Sequence, residues 1–146
     1  MRFPRKFEIS SGFTLLELLV VMVIIGLLAS YVAPRFFTQV GKSEVKTARA
    51  QIDAFGKALD TYRLDTGHYP TTVQGLKALI DRPEGEAKWS GPYLQKSVPP
   101  DPWGQTYIYQ SPGGAGRDYD LTSTGKDAQP GGEGDAADIR SWELAK

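Results

Sequence analysis

Apolar positions fall into two different patterns along this chain. Residues 13–33, FTLLELLVVMVIIGLLASYVA, are apolar on every helical face and carry one charge, Glu17. As a helix this run spans about 31 Å, close to the hydrocarbon thickness of a bilayer. Further on, Val45, Ala48, Ile52, Phe55, Leu59 and Tyr62 recur at alternating spacings of three and four. That rhythm draws a single apolar stripe on a helix. Lys42, Glu44, Lys46, Arg49, Asp53, Lys57, Asp60 and Arg63 occupy its other faces. The two patterns together predict one helix from Phe13 to about Asp65, roughly 80 Å long if unbroken. Gly26 and Pro34 are its weak points, and a kink or local unwinding is expected at Pro34. Arg49–Asp53 and Asp53–Lys57 are spaced for ion pairs across one turn. Asp65-Thr66-Gly67, with Pro70 beyond, should end the helix.

Residues 68–146 carry weaker periodicity. His68-Tyr69-Pro70-Thr71-Thr72 reads as a turn, and Thr72 as the cap of a short helix over residues 73–80 with Leu76, Leu79 and Ile80 on one side. Residues 82–101 form a Pro- and Gly-interrupted connection that cannot be regular. Trp89, Tyr93 and Trp103 should pin it by burial. Residues 105–110 (QTYIYQ) and 118–123 (DYDLTS) are rich in β-formers and flank a turn-rich SPGGAGR, which predicts a hairpin. A third short strand is expected around residues 139–144. The class is therefore α+β: one long N-terminal helix, whose first half spans a membrane, packed against a small antiparallel sheet with an irregular, loop-rich C-terminal region.

Charge and composition narrow the chemistry. The 146 residues hold 17 Lys+Arg and 17 Asp+Glu. A balanced charge argues against a dedicated nucleic-acid binder. There is no Cys and one His, so disulfide frameworks, thiolate chemistry and His-rich metal sites are excluded. His68 has no nucleophile or acid partner at a suggestive spacing and reads as a turn residue, and no phosphate-binding Gly motif is present. No enzyme is expected. Arg2, Arg5 and Lys6 outweigh Glu8 ahead of the apolar run, which orients the N-terminus to the cytoplasm and the remainder to the far side of the membrane. A cleaved secretory signal fits less well, because the run is too long and Ala29-Ser30-Tyr31 and Ala33-Pro34 make poor cleavage sites.

Glu17 is the exceptional residue of the apolar run. A carboxylate at mid-bilayer costs roughly 2.5–3.5 kcal/mol. It either snorkels to the interface or finds a positive partner. Gly12-Phe13-Thr14-Leu15-Leu16-Glu17, after a basic leader, resembles the class III signal of type IV pilins and pseudopilins. The resemblance implies cleavage between Gly12 and Phe13 by a prepilin peptidase, N-methylation of Phe13, and Glu17 as the fifth mature residue. Glu17 would then face the ammonium of a neighbouring subunit during assembly. The implied organisation is residues 1–12 as cleaved leader, 13–33 as transmembrane and assembly helix, and 34–146 as a periplasmic domain that includes the second half of the helix.

HYPTTVQGLKAL, WSGPYL, PPDPWGQTYIY and GKDAQPGG…ADIRSW extend the resemblance over nearly the whole chain, to the major pseudopilins of type II secretion systems (the general secretion pathway protein G family). Such a protein polymerises on itself into a periplasmic pseudopilus that helps move folded exoproteins across the outer membrane. Its implied partners are minor pseudopilins, the prepilin peptidase and an inner-membrane assembly platform. The implied location is the inner membrane, single-pass, with the N-terminus cytoplasmic and the C-terminal domain periplasmic. The alternatives are a type IV pilin or minor (tip) pseudopilin, and a membrane-tethered calcium-dependent binding module.

Residues 127–138 contain Asp127, Glu133, Asp135 and Asp138 and no basic residue. By composition this is a solvated acidic loop. It is no EF-hand, because Gln129 and Gly131 stand where two ligands belong. The family resemblance instead implies one structural Ca²⁺. Asp127 and Asp138 would supply carboxylates, Thr124 and Ile139 carbonyls, Ser141 a carbonyl or hydroxyl, and Asp135 a possible further ligand. Ala128 departs from the pattern, since Gly is common there.

Overall fold

A computed structural model describes residues 12–144. The basic leader expected at Arg2, Arg5, Lys6 and Glu8 lies outside the described residues. Helix α1 runs from Leu15 to Thr66. Pro34 lies inside it and produces no local unwinding. It removes one backbone donor from a long ladder. Nearby, Ser30 Oγ donates to Leu27 O at 2.8 Å and Thr38 Oγ1 to Pro34 O at 2.9 Å. The helix stops where expected. Gly67 takes φ +89°, and its N–H closes the last turn on Arg63 O at 2.8 Å, as a left-handed C-terminal cap requires.

The chain divides into two compact units, one ending at Thr38 and the other beginning at Gln39. Among the described residues of the first, every large apolar side chain is exposed. In the second, the predicted stripe is the core. Ala48, Ile52, Phe55, Leu59 and Tyr62 are buried, and Val45 packs against them. Lys57 pairs with Asp53 at 2.7 Å. The expected Arg49–Asp53 pair does not form.

The predicted helix over residues 73–80 is instead a 3₁₀ turn, Gly75–Leu79. Gly75 has φ +57°, which no α-helix accommodates. Thr72 does not cap it. Its hydroxyl donates to Ser111 O and accepts from Ser111 N–H, both at 3.0 Å, tying this turn to a residue far along the chain. Thr71 and Gln74 make the reciprocal side-chain-to-backbone bonds of a capping box, at 2.8 and 3.3 Å. Leu76 and Leu79 are buried as expected, while Ile80 is half-buried.

The sheet has three antiparallel strands in sequence order: β1 Ile108–Gln110, β2 Asp120–Ser123 and β3 Ile139–Arg140. All are shorter than predicted. Tyr109 faces Leu121, and Ser123 faces Ile139. Tyr107, Tyr109, Leu121 and Ile139 join the helix stripe, Leu76 and Leu79 in one core. Residues 105–107 lie outside the ladder, and residues 118–119 precede β2 in an irregular turn held by Arg117 and Asp120. Arg117 forks onto Asp120 at 2.6 and 3.0 Å, Gly114 N–H adds a bond to the same carboxylate at 2.8 Å, and the guanidinium lies 4.1 Å over the Trp142 ring. The Arg117 pairing holds the Asp120 carboxyl below its ordinary pKa.

The irregular connection is pinned by its aromatics, through their polar tips as well as their burial. Trp89 Nε1 donates to Ala78 O at 2.8 Å, Tyr93 OH to Asp65 at 2.8 Å and Trp103 Nε1 to Glu44 at 3.0 Å. His68 sits beside Tyr69 and also meets an acid: its Nε2 lies 2.9 Å from Glu86, a side chain of that same connection.

Candidate functional site

Two regions carry the residues singled out in the sequence. The first is the start of α1. Gly12 and Phe13 precede the helix as exposed, irregular backbone. A peptide bond in that state can enter a protease site without unwinding a helix. Thr14 caps α1: its Oγ1 accepts the Glu17 N–H at 3.1 Å. Thr14-Leu15-Leu16-Glu17 therefore has the T-x-x-E form of a capping box, a signal legible in the sequence but missed there. Glu17 lies in the first turn, where the helix dipole favours an anion. From Phe13 to Val40 the large apolar side chains are all exposed, and α1 contains a stretch near its N-terminus long and apolar enough to cross a membrane.

The second region is the acidic loop. β2 and β3 end on the Ser123–Ile139 pair, so their next residues, Thr124 and Asp138, leave the sheet side by side. The loop closes through Lys126 N–H to Asp135 O and Asp138 N–H to Gly131 O, both at 3.0 Å. Gly132 is required within it: φ is +80°, and a Cβ there would lie 2.2 Å from Ala136 O. Ala128 holds φ +56°, a left-handed geometry that explains why glycine suits this position.

The carboxylates are less alike than their clustering suggested. Lys126 pairs with Asp135 at 3.2 Å, and Arg140 with Asp138 Oδ2 at 3.0 Å. Two acids of the loop are thus neutralised by basic residues that lie just outside residues 127–138 in sequence. Asp127 Oδ1 accepts the Gln129 N–H at 3.1 Å in an Asx turn on the surface. Asp138 is different. Its side chain is 7 % exposed, and its Oδ1 is buried with no hydrogen-bond partner. Ser141 Oγ accepts the Leu121 N–H at 3.2 Å. Among the described residues no three His, Cys, Asp or Glu side chains gather tightly enough to hold a metal by themselves. Any ion here would depend on carbonyl oxygens as well as carboxylates.

A capped helix with a fully apolar first part, followed by a three-stranded antiparallel sheet on its second part, defines a subunit of the type IV pilin-like class. The relatives sharpen that class. Residues 10–33 match the prokaryotic N-terminal methylation motif, and residues 35–142 match the family model of type II secretion system protein G. The chain belongs to that family. It is 45% identical over 143 residues to the type II secretion system core protein G of Vibrio cholerae, covering 96% of this chain and 97% of that one. It is 43% identical to the Pseudomonas aeruginosa core protein G, covering 91% and 95% of the two chains. The crystal structure of the major pseudopilin from the type 2 secretion system of enterohaemorrhagic Escherichia coli superposes with a TM-score of 0.58 at 35% identity, covering 70% of this chain and 89% of that one. These relatives favour a major pseudopilin over a type IV pilin or a tip subunit.

Proposed function

We propose that this chain is the repeating subunit of a periplasmic pseudopilus, held in the inner membrane by residues 13–33 before assembly and polymerised through the same residues afterwards. The observation that carries this reading is the uninterrupted exposure of large apolar side chains from Phe13 to Val40. Burying such a surface yields roughly 25 cal/mol per Å², and only lipid or further copies of the helix can supply the cover. Prepilin peptidase would cut between Gly12 and Phe13 and methylate Phe13. Glu17 would then lie one turn from a positive α-amine, and an ammonium on a neighbouring copy can neutralise it as the helix leaves the membrane. The resulting fibre would help move folded exoproteins across the outer membrane, together with minor pseudopilins and an inner-membrane assembly platform. Glu17→Ala tests the pairing. The variant should be processed and inserted normally but form few or no filaments; wild-type filament yield would contradict it.

We further propose that the acidic loop holds one Ca²⁺. The buried Oδ1 of Asp138 supports this: Arg140 engages only Oδ2, which leaves Oδ1 without a polar partner and open to a further cation. Thr124 and Ile139 would contribute carbonyls, Asp127 and Asp138 carboxylates, and Asp135 a further oxygen. The hydroxyl of Ser141 already serves Leu121, which favours its carbonyl as donor. The ion would supply positive charge that locks the loop to the ends of β2 and β3. Extracellular sites of this kind have dissociation constants of roughly 10⁻⁴–10⁻³ M, and calcium at ten times that value stabilises by about 1.4 kcal/mol. Thermal melts with calcium, magnesium and chelator should show a rise with calcium alone, absent in Asp138→Asn. No rise, or an equal one with magnesium, would refute the site.

A further inference from the structure

The exit of the apolar run has a composition unlike the rest of it. Tyr31, Phe36 and Phe37 are 63%, 62% and 70% exposed. Arg35 stands over the Tyr31 ring with Cζ 4.6 Å from its centroid. The Phe36 and Phe37 rings meet edge to face at 6.0 Å. On an α-helix these three rings point about 100–140° apart and occupy about 9 Å of its axis. They therefore encircle the helix. A contact with one neighbouring protein would call for a stripe. A ring on all sides suits a surrounding medium.

We propose that Tyr31, Arg35, Phe36 and Phe37 form an interfacial collar that docks in the headgroup region of the distal leaflet, with the Arg35 guanidinium on a phospholipid phosphate. The collar overlaps the end of the apolar run at Tyr31 and takes in Arg35, the first cation beyond residues 13–33. Amphipathic aromatic rings favour this depth. The guanidinium carries five donors and matches phosphate in shape and charge. In the described structure it touches the Tyr31 ring and no carboxylate within ion-pair distance. The collar fixes how far the helix is sunk before assembly. It must leave the headgroups when a subunit is drawn into a fibre, so it also sets part of the resistance to extraction.

The chain has no Cys, so single cysteines report depth cleanly. Full-length protein carrying Thr38→Cys or Lys42→Cys would be reconstituted into phosphatidylcholine vesicles with and without phosphatidylglycerol and labelled with a membrane-impermeant maleimide. Resistance to alkaline extraction, read in parallel, reports the anchor itself and so separates its loss from loss of the collar. Lys42→Cys should label fast everywhere. Thr38→Cys should label slowly, and roughly fivefold more slowly with phosphatidylglycerol. Arg35→Gln should abolish the lipid dependence. Phe36→Ser with Phe37→Ser should raise labelling at position 38 with the anchor intact. Equal labelling at 38 and 42, or no lipid dependence, would overturn the proposal. So would protection that grows with protein-to-lipid ratio, which would assign the rings to a second copy.

Discussion

Two parts of one helix obey different rules. Residues 15–38 carry apolar side chains on every face, with Glu17 and Arg35 as their charges, and bury none of their large side chains, whereas residues 39–66 are apolar on one stripe and bury nearly all of it. Both are α-helical throughout. The side-chain pattern decides the environment: a stripe can be satisfied by one small sheet and a few loops, but a cylinder needs cover from every direction. Secondary structure alone therefore says little about function here. The distribution of apolar residues around the helix separates a part that completes a domain from a part that awaits lipid or other subunits.

The sharpest way to break this comparison is to shorten matched leucines. Leu59→Ala, at a fully buried position, should cost the domain about 2–5 kcal/mol in a denaturant titration. Leu27→Ala, on the exposed part, should leave that titration unchanged within about 0.5 kcal/mol. Equal losses would mean that the two parts share one core.

Alkaline titration sharpens the same contrast. Burial pushes Tyr109 and Tyr119 up to about 12 from an ordinary 10.0. Between those values the unfolded chain releases protons that the folded domain retains, so stability should fall as pH rises above 10 and be fully present below it. Tyrosinate absorbance in the folded domain should thus appear late and together with unfolding. Ionisation of all tyrosines near pH 10 without loss of structure would contradict the burial. Asp120 contributes in the opposite range: its lowered pKa adds stability that is lost as pH falls below the usual carboxylate value.

Much of this was legible in the sequence, for stateable reasons. The stripe from Val45 to Tyr62, the stop at Gly67 and the three strands follow from period, left-handed glycine and β-forming runs. The misses are local. Thr71 rather than Thr72 carries the capping bonds, because Thr72 is claimed by Ser111, which is distant in sequence. Gly75 turns an apparent helix into a 3₁₀ turn through its backbone sign. The acidic loop does hold its four acids, but Lys126 and Arg140, which pair with two of them, flank it in sequence. The burial of Asp138, which distinguishes it from its neighbours, depends on where β3 begins, and no local pattern encodes that.

The central claim is that residues up to 38 serve assembly while residues 39–146 fold without them. It is tested most directly by comparing the processed full-length chain with a fragment of residues 39–146, by denaturant titration and by sedimentation. The account predicts that the fragment is monomeric and matches the stability of the domain in the full chain, while only the full chain forms filaments. A fragment that fails to fold, or one that polymerises as readily as the full chain, would contradict it.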